Sequence, residues 1–351
     1  MLIYIFLAIL IFISAFWGET KSWNKIVVIL LCLFGLLRGE TVGSDIQVYL
    51  SNIRHTTWSP LSWNYATNFE AGYNLFIACW NSISDNSLLF LGLNNTLFVL
   101  GINYYGKKKV KHYNLFLLFV YFLGYYVQSF NIMRQYFAIG LLLFILANFE
   151  IEKLRKIELL YISLLILAVG LLFHNTVLIA LVIPVYYLIQ NTPINKRQNY
   201  VLAIILSATI FYLDIIRFLL SDYSSLFVLN EKATIYYQSS FINEEEKYSL
   251  LRILLDNIFF LYLIYIYKKI DIYIFMLSVA RVFINLFAPL NVLFVRIPTV
   301  LLIISIPLYV KLWYKHDHVT KGVILLYAIL IFTNIMIKNY GKFQPYLFFW
   351  E

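Results

Sequence analysis

At 351 residues the chain is long enough for several soluble domains, yet hydrophobic residues make up 62% of it and charged residues only 13%. With a mean hydropathy of +0.79, that balance excludes an ordinary soluble globular protein and predicts one integral-membrane domain over 1–351. The net charge of +9 does not indicate a nucleic-acid partner, because the basic residues sit in short loops between apolar runs, where they set membrane orientation.

Taken in chain order, apolar runs of about 15 to 22 residues predict an all-α, polytopic helix bundle of roughly twelve transmembrane segments. Their centres fall near Leu7, Leu31, Phe98, Val120, Leu141, Leu165, Val182, Leu206, Leu261, Leu277, Ile303 and Tyr327. Residues 1–17, MLIYIFLAILIFISAFW, lack a basic start and a small-residue cleavage site, so they read as a retained first helix. Cys32 and Cys79 lie in apolar surroundings, too few and too isolated for a disulfide framework or a metal cluster.

The connectors form two populations. One carries Lys21, Lys25, KKKVK at 107–111, EKLRK at 152–156, NKR at 195–197, KK at 268–269 and YKHDHVTK at 314–321, and the positive-inside rule makes that side cytoplasmic. The other holds the two longest connectors, 38–86 and 220–250, is poorer in lysine, and is expected to face outward. In the first of these, the short apolar run after Glu70 predicts a segment that dips into the bilayer or lies on it. NEEEK at 243–247 reads as a solvated face of the second, and HDH at 316–318 as an isolated fragment in a cytoplasmic loop.

Polar residues at the helix ends converge on the outward side. Arg38 ends the second predicted span, Arg134 opens the fifth, His174 ends the sixth and Arg296 opens the eleventh, while Asp45 and Glu70 lie in the first outer loop. An arginine at membrane depth costs free energy even after snorkelling, so a functional partner is the default reading, against the blander one of headgroup contact. A guanidinium stays charged and grips phosphate oxygens in a planar fork, which suits a lipid-linked diphosphate. Arg281 lies nearer mid-span and either pairs internally or lines a cavity. His174 interrupts an apolar run, and a neutral imidazole is a competent general base. Asp45 and Glu70 are alternative bases, or counter-ions to an outer arginine such as Arg38. The sequence has no Walker-type loop, no dinucleotide fingerprint and no Cys/His metal spacing.

Five blocks in order, LRGETVGSDIQVYL at 37–50, FEAGYNLF at 69–76, FNIMRQYFAIGLLLF at 130–144, FHNTVLIAL at 173–181 and VRIPTVLLI at 295–303, resemble the EpsG-like polysaccharide polymerases. Those are related in role to the Wzy-type O-antigen polymerases. The Gly-Ser-Asp-x3-Tyr and Asn-x2-Arg-Gln blocks are the most distinctive. Gly43-Ser44-Asp45 stands where the family usually shows Gly-Thr-Asp, and toward the C-terminus the match thins to Arg296 and PYLFFW at 345–350. The resemblance implies a glycosyltransferase that joins polyprenyl-diphosphate-linked sugar units at the outer face of the bacterial cytoplasmic (inner) membrane. It implies roles for Asp45, Tyr49, Glu70, Arg134, Gln135, His174 and Arg296, with Asn131 in the same block as Arg134. Arg38 and Arg281 are further candidates for substrate binding. The partners implied are an undecaprenyl-diphosphate-linked oligosaccharide, membrane lipids and a chain-length regulator, with no nucleic acid and no cofactor.

In the reaction so implied, an acceptor sugar hydroxyl attacks the anomeric carbon of a glycan carried on undecaprenyl diphosphate. The leaving diphosphate is a stable anion, so the site needs positive charge near it more than a general acid. Arg134 and Arg296, with Arg38, are expected to supply that charge, and His174 is preferred to Asp45 and Glu70 as the base. Trp58, Trp63 and Tyr65 either stack on sugar rings or anchor the loop at the interface. A glycan ligase would use the same groups on another acceptor. A lipid-glycan flippase would favour paired halves and a polar path to both faces, features this sequence lacks. With no cluster of outer carboxylates to hold a divalent ion, transfer by membranes carrying the protein is expected to persist in excess chelator. Polymer synthesis that stops on chelation and resumes with added magnesium would refute this.

Overall fold

The computed structural model describes residues 1–17, 21–56, 69–190, 250–269, 271–287, 296–339, 342–348 and 350. The span expected around Leu206, the outer loop 220–249, NEEEK at 243–247 and the aromatic residues Trp58, Trp63 and Tyr65 lie outside them. Among the described residues the chain is helical without a strand, apart from an isolated antiparallel bridge between Arg38 and Phe348. The residues group into two compact units, 1–181 with 306–351, and 182–305.

The first unit holds α1 (Leu2–Trp17), α2 (Lys21–Leu36), α3 (Ile46–His55), α4 (Ala71–Asn81), α5 (Ser87–Lys109) and α6 (Tyr113–Phe122). It continues through α7 (Tyr125–Gln128), α8 (Met133–Ala147), α9 (Lys156–Leu172) and a 3-10 helix (Asn175–Leu181). The second unit contributes α10 (Val182–Gln190), α11 (Leu250–Tyr267), α12 (Ile272–Phe287) and α13 (Thr299–Ile304). The first unit resumes with α14 (Ile306–Lys315) and α15 (His318–Lys338).

The surface of α9 says what solvent the fold meets. Only Ile162, Ile166, Val169 and Gly170 of this helix are buried, while Ile157, Leu160, Tyr161, Leu164, Leu165, Leu167, Leu171 and Leu172 are exposed. An apolar face of that length in water would be an aggregation site, whereas hydrocarbon accepts it without cost. By length and composition, α5 and α15 can each cross a membrane alone. Shorter apolar helices span Leu2–Trp17, Trp23–Leu36, Tyr113–Phe122, Met133–Ala147, Asn175–Tyr187 and Ile272–Leu286.

The expectation of roughly twelve continuous spans therefore meets several interrupted runs. The run centred on Val120 stops at Phe122, because Gly124 adopts a left-handed conformation (φ 83°) before α7 begins. The run around Val182 starts as a 3-10 turn, and the run around Ile303 is divided at Ser305, whose hydroxyl turns back onto the Leu301 carbonyl at 2.8 Å.

The core of the first unit is the α5–α8 pair, set by two glycines. A Cβ on Gly101 would run into the backbone of Gly140, and one on Gly140 would meet Phe98 Cα at 2.8 Å. Close backbone approach through small residues is the usual packing mode where no hydrophobic effect separates helix from lipid. Tyrosines tie the remaining helices: Tyr126 donates to the Leu31 carbonyl at 2.8 Å, Tyr121 to that of Tyr4 at 2.7 Å, and Tyr4 to that of Phe343 at 2.9 Å. In the second unit, Ile253 and Ile284 pack with Leu302, and Asn257 and Asn285 exchange amide hydrogen bonds at 3.0 and 3.2 Å.

Replacing Gly101 by Leu is expected to force α5 and α8 apart and destabilise the fold by about 1–3 kcal/mol or more. A lowered thermal midpoint of the purified protein in detergent checks this, and an unchanged midpoint would show that the helices do not meet there.

Candidate functional site

The site begins at a turn that only glycine suits. Gly43 has φ 123°, in the left-handed region, and a Cβ there would meet the Phe130 carbonyl oxygen at 2.9 Å. Seated so closely, the Gly43-Ser44-Asp45 turn is held by Asn131. The Asn131 side-chain oxygen accepts from Ser44 Oγ at 2.8 Å and from the Asp45 backbone N–H at 2.9 Å. Asp45 is the N-cap of α3, where its carboxylate complements the helix dipole, and its Oδ1 lies 3.0 Å from Ser44 Oγ.

Helix α3 follows because Ile46, Tyr49, Leu50 and Ile53 recur at helical spacing and bury one face. That face packs with Tyr73 and Ile77 of α4, Phe90 and Leu91 of α5, and Met133 and Phe137 of α8. Gly72 brings α4 against the end of α9, since a Cβ there would meet the Leu172 carbonyl oxygen at 2.7 Å. Phe173, just beyond α9, packs at a tilt against Phe137 with ring centroids 5.5 Å apart.

At the rim of this apolar cluster lies Arg134. Its Nη1 donates to Glu70 Oε2 at 2.5 Å, and its guanidinium carbon sits 4.0 Å from the centroid of the Phe69 ring. Both side chains of the ion pair are mostly buried, at 19% and 16% exposure, so the pair is stronger than one in open water. The Tyr49 hydroxyl oxygen accepts a further hydrogen bond from Arg134. Burial pushes the Tyr49 and Tyr73 phenols above their ordinary range, with the Arg134 charge acting in the opposite sense. Both stay protonated at neutral pH and are O–H donors. Among the described residues, Tyr73 Oη and Arg134 Nε are buried without a hydrogen-bond partner.

Arg38 is turned inward. It is 1% exposed, and its donors reach the Phe130 carbonyl at 2.8 Å, Met133 Sδ at 2.8 Å and the Leu91 carbonyl at 3.5 Å.

A model of the EpsG family matches residues 21–348. The chain belongs to the EpsG family. Comparison with curated proteins and with solved structures finds no match. EpsG is a Wzy-like polymerase family, and membership points to a polysaccharide-polymerase-type glycosyltransferase in a membrane.

In this EpsG-family chain the four blocks at 43–49, 69–73, 130–135 and 173–176 come together in the first unit. Asp45, Tyr49, Glu70, Asn131, Arg134 and Gln135 share one neighbourhood, though with different employment. Asn131 spends its oxygen on the Asp45 turn, and Gln135 is 1% exposed within α8. His174 Nδ1 accepts the Thr176 backbone N–H at 3.3 Å and lies 2.8 Å from Thr176 Oγ1. A backbone N–H can only donate, so this geometry places the proton of the neutral imidazole on Nε2. In that tautomer the other ring nitrogen, Nε2, is a donor.

The second unit holds Arg281 and Arg296. Arg296 is half-buried in the turn before α13. Arg281 donates from Nη1 to Asp256 Oδ2 at 2.7 Å, and Arg252 Nε approaches the other oxygen of that carboxylate at 3.3 Å. Of the sequence alternatives for Arg281, internal pairing is the one observed. Arg252, Asp256 and Tyr73 escaped the sequence reading. The signal for the first two was there, since Arg252 and Asp256 stand four apart in an apolar run and so share a helix face.

Asn131→Ala would strip Ser44 Oγ and the Asp45 N–H of their shared acceptor, and is expected to cost about 1–3 kcal/mol. Thermal unfolding in nanodiscs measures it, and a wild-type midpoint would remove Asn131 from its positioning role.

Proposed function

We propose that the protein transfers a glycan from undecaprenyl diphosphate to the sugar hydroxyl of a second lipid-linked repeat unit, at the outer face of the cytoplasmic membrane. The single observation that carries this reading is Arg134: a mostly buried guanidinium, neutralised by Glu70 through Nη1, whose Nε has no hydrogen-bond partner among the described residues and which shares its neighbourhood with the protonated Tyr73. A substrate phosphate that displaces the groups covering this Nε can accept its N–H without releasing Glu70.

In this mechanism Arg134 stabilises charge as it develops on the leaving diphosphate, with Tyr73 and Tyr49 as neutral donors. The acceptor hydroxyl loses its proton to Asp45, forms the new bond to the anomeric carbon, and the lipid diphosphate departs with the electron pair of the broken C–O bond. Asp45 replaces His174 as the base because it is half-exposed at the helix N-terminus, while Glu70 is committed to Arg134. His174 serves as an Nε2–H donor. Arg38 positions the site from within, Asp256 pairs with Arg281 in the second unit, and a role for Arg296 rests on the family resemblance alone. A bundle of about twelve passes, with the lysine-rich loops in the cytoplasm, and a chain-length-regulating partner complete the reading.

The test is the length of surface polysaccharide in cells lacking the gene, complemented at matched membrane levels. Wild type is expected to restore a ladder, and Arg134→Ala and Arg134→Lys to leave single repeat units, a loss of about 10²–10³ in rate for a lost charge-stabilising donor. Asp45→Asn is expected to lower the rate by about 10²–10⁴. His174→Gln, which retains a donor, is expected to keep most activity. A normal ladder with Arg134→Ala would end this reading, and a dead His174→Gln beside an active Asp45→Asn would return the base to His174.

A further inference from the structure

Contacts join α3 and α4 at both ends. Their N-terminal ends meet at Arg134, through Tyr49 on one and Glu70 before the other. Their C-terminal ends meet at Asn81, whose amide donates to the carbonyls of Ile53 and Thr56, each at 2.7 Å. At that second junction lies a cavity of about 330 Å³, lined by Arg54, Thr56, Asn81, Ser82, Asp85 and Ser87. It sits at the Ser87 end of α5, opposite the end bearing Lys107, Lys108 and Lys109, which the lysine distribution makes cytoplasmic.

The lining differs chemically from the Arg134 site. One guanidinium faces one carboxylate, and Arg54 is further paired with Glu40 at 3.2 Å, so no cationic excess is available to hold a phosphate. Asn81 Nδ2, Thr56 Oγ1 and Ser82 Oγ already donate to backbone carbonyls, so what these groups and the Asp85 carboxylate have left to offer is acceptor lone pairs, which suit the O–H donors of a sugar. That pattern matches a polyhydroxylated ring, and the volume lies at the lower end of the roughly 300–1,000 Å³ of small-molecule sites.

The geometry points to a sugar subsite: the cavity takes an uncharged pyranose, a hexose or an N-acetylhexosamine, of the same lipid-linked glycan whose diphosphate lies at Arg134. The seven residues from Tyr49 to Thr56 set the separation, about 10 Å at 1.5 Å per residue, within reach of a short oligosaccharide. This inference rests on the transferase reading above, and its test separates the two.

Two ligands are titrated into the full-length protein in nanodiscs: the lipid-free repeat unit released from the host strain's own polysaccharide, and undecaprenyl diphosphate bearing no sugar. Ser82→Trp, which fills the cavity from an exposed position, is expected to weaken the oligosaccharide by about tenfold or more and to leave the lipid diphosphate unchanged. Asp85→Asn is expected to act in the same direction more weakly, and it decides the matter if Ser82→Trp lacks a cooperative thermal transition. Arg134→Ala is expected to show the reverse pattern. Oligosaccharide binding that is absent from wild type, or equal in wild type and both cavity variants, overturns the subsite. Retained lipid-diphosphate binding in Arg134→Ala, with oligosaccharide binding still lost in Ser82→Trp, would overturn the transferase reading and leave the subsite standing.

Discussion

A buried guanidinium organises the first unit. Arg38 has left water for a site where backbone carbonyls, a thioether and an aromatic face take the place of its hydration shell. A charge so placed is costly, and its Nε has no hydrogen-bond partner among the described residues, so the position of each acceptor on its other nitrogens is a constraint on the chain that carries it. Leu91 belongs to α5, Phe130 and Met133 to the turn that opens α8, and the backbone of Arg38 is bridged to Phe348. Three distant segments are thereby fixed around one residue, two by its side chain and one by its backbone. Removing Arg38 would release its partners together, so its worth cannot be read from any single contact.

The Phe130 carbonyl shows how that constraint reaches the site. It accepts from Arg38 on one side and leaves room only for a glycine, Gly43, on the other. The next residue, Asn131, then finds Ser44 and the Asp45 N–H within reach, and the one after Met133 is Arg134 itself. The two most distinctive sequence blocks are therefore two halves of one turn-on-turn contact. Neither has a stable conformation that depends on its own residues alone.

Much of this was legible in the sequence, for physical reasons that differ by element. The all-α membrane class follows from hydropathy, and α5 and α15 match predicted spans because nothing interrupts their apolar runs. The break at Gly124 was not legible, since one glycine in an apolar run is as compatible with a packed helix as with a left-handed turn. Arg134 stood out because a charge in an apolar run is expensive. Its partner Glu70 lies 64 residues away, and a hydropathy pattern has no term for which distant carboxylate answers a given arginine. The employment of Arg38 was hidden for the same reason: carbonyl acceptors carry no side-chain signature. His174 was singled out correctly as an interruption, but the tautomer depends on Thr176 N–H, a backbone feature that every residue type except proline offers.

The pairing of Arg134 with Glu70 also bears on why a transferase of this kind would hold its charge in reserve. An unneutralised arginine beside aromatic rings would bind any headgroup phosphate in the bilayer, and tight binding of the ground state adds nothing to the rate. With Nη1 committed to Glu70, the cation is oriented before any substrate arrives, so in the proposed transfer little reorganisation would be needed as charge develops on the leaving diphosphate. Selectivity over ordinary phospholipid must then come from elsewhere along the substrate. Helices α3 and α4 offer a way to obtain it, since they join the arginine at one end to a polar cavity at the other. A phospholipid can reach the first end but carries no glycan to fill the second.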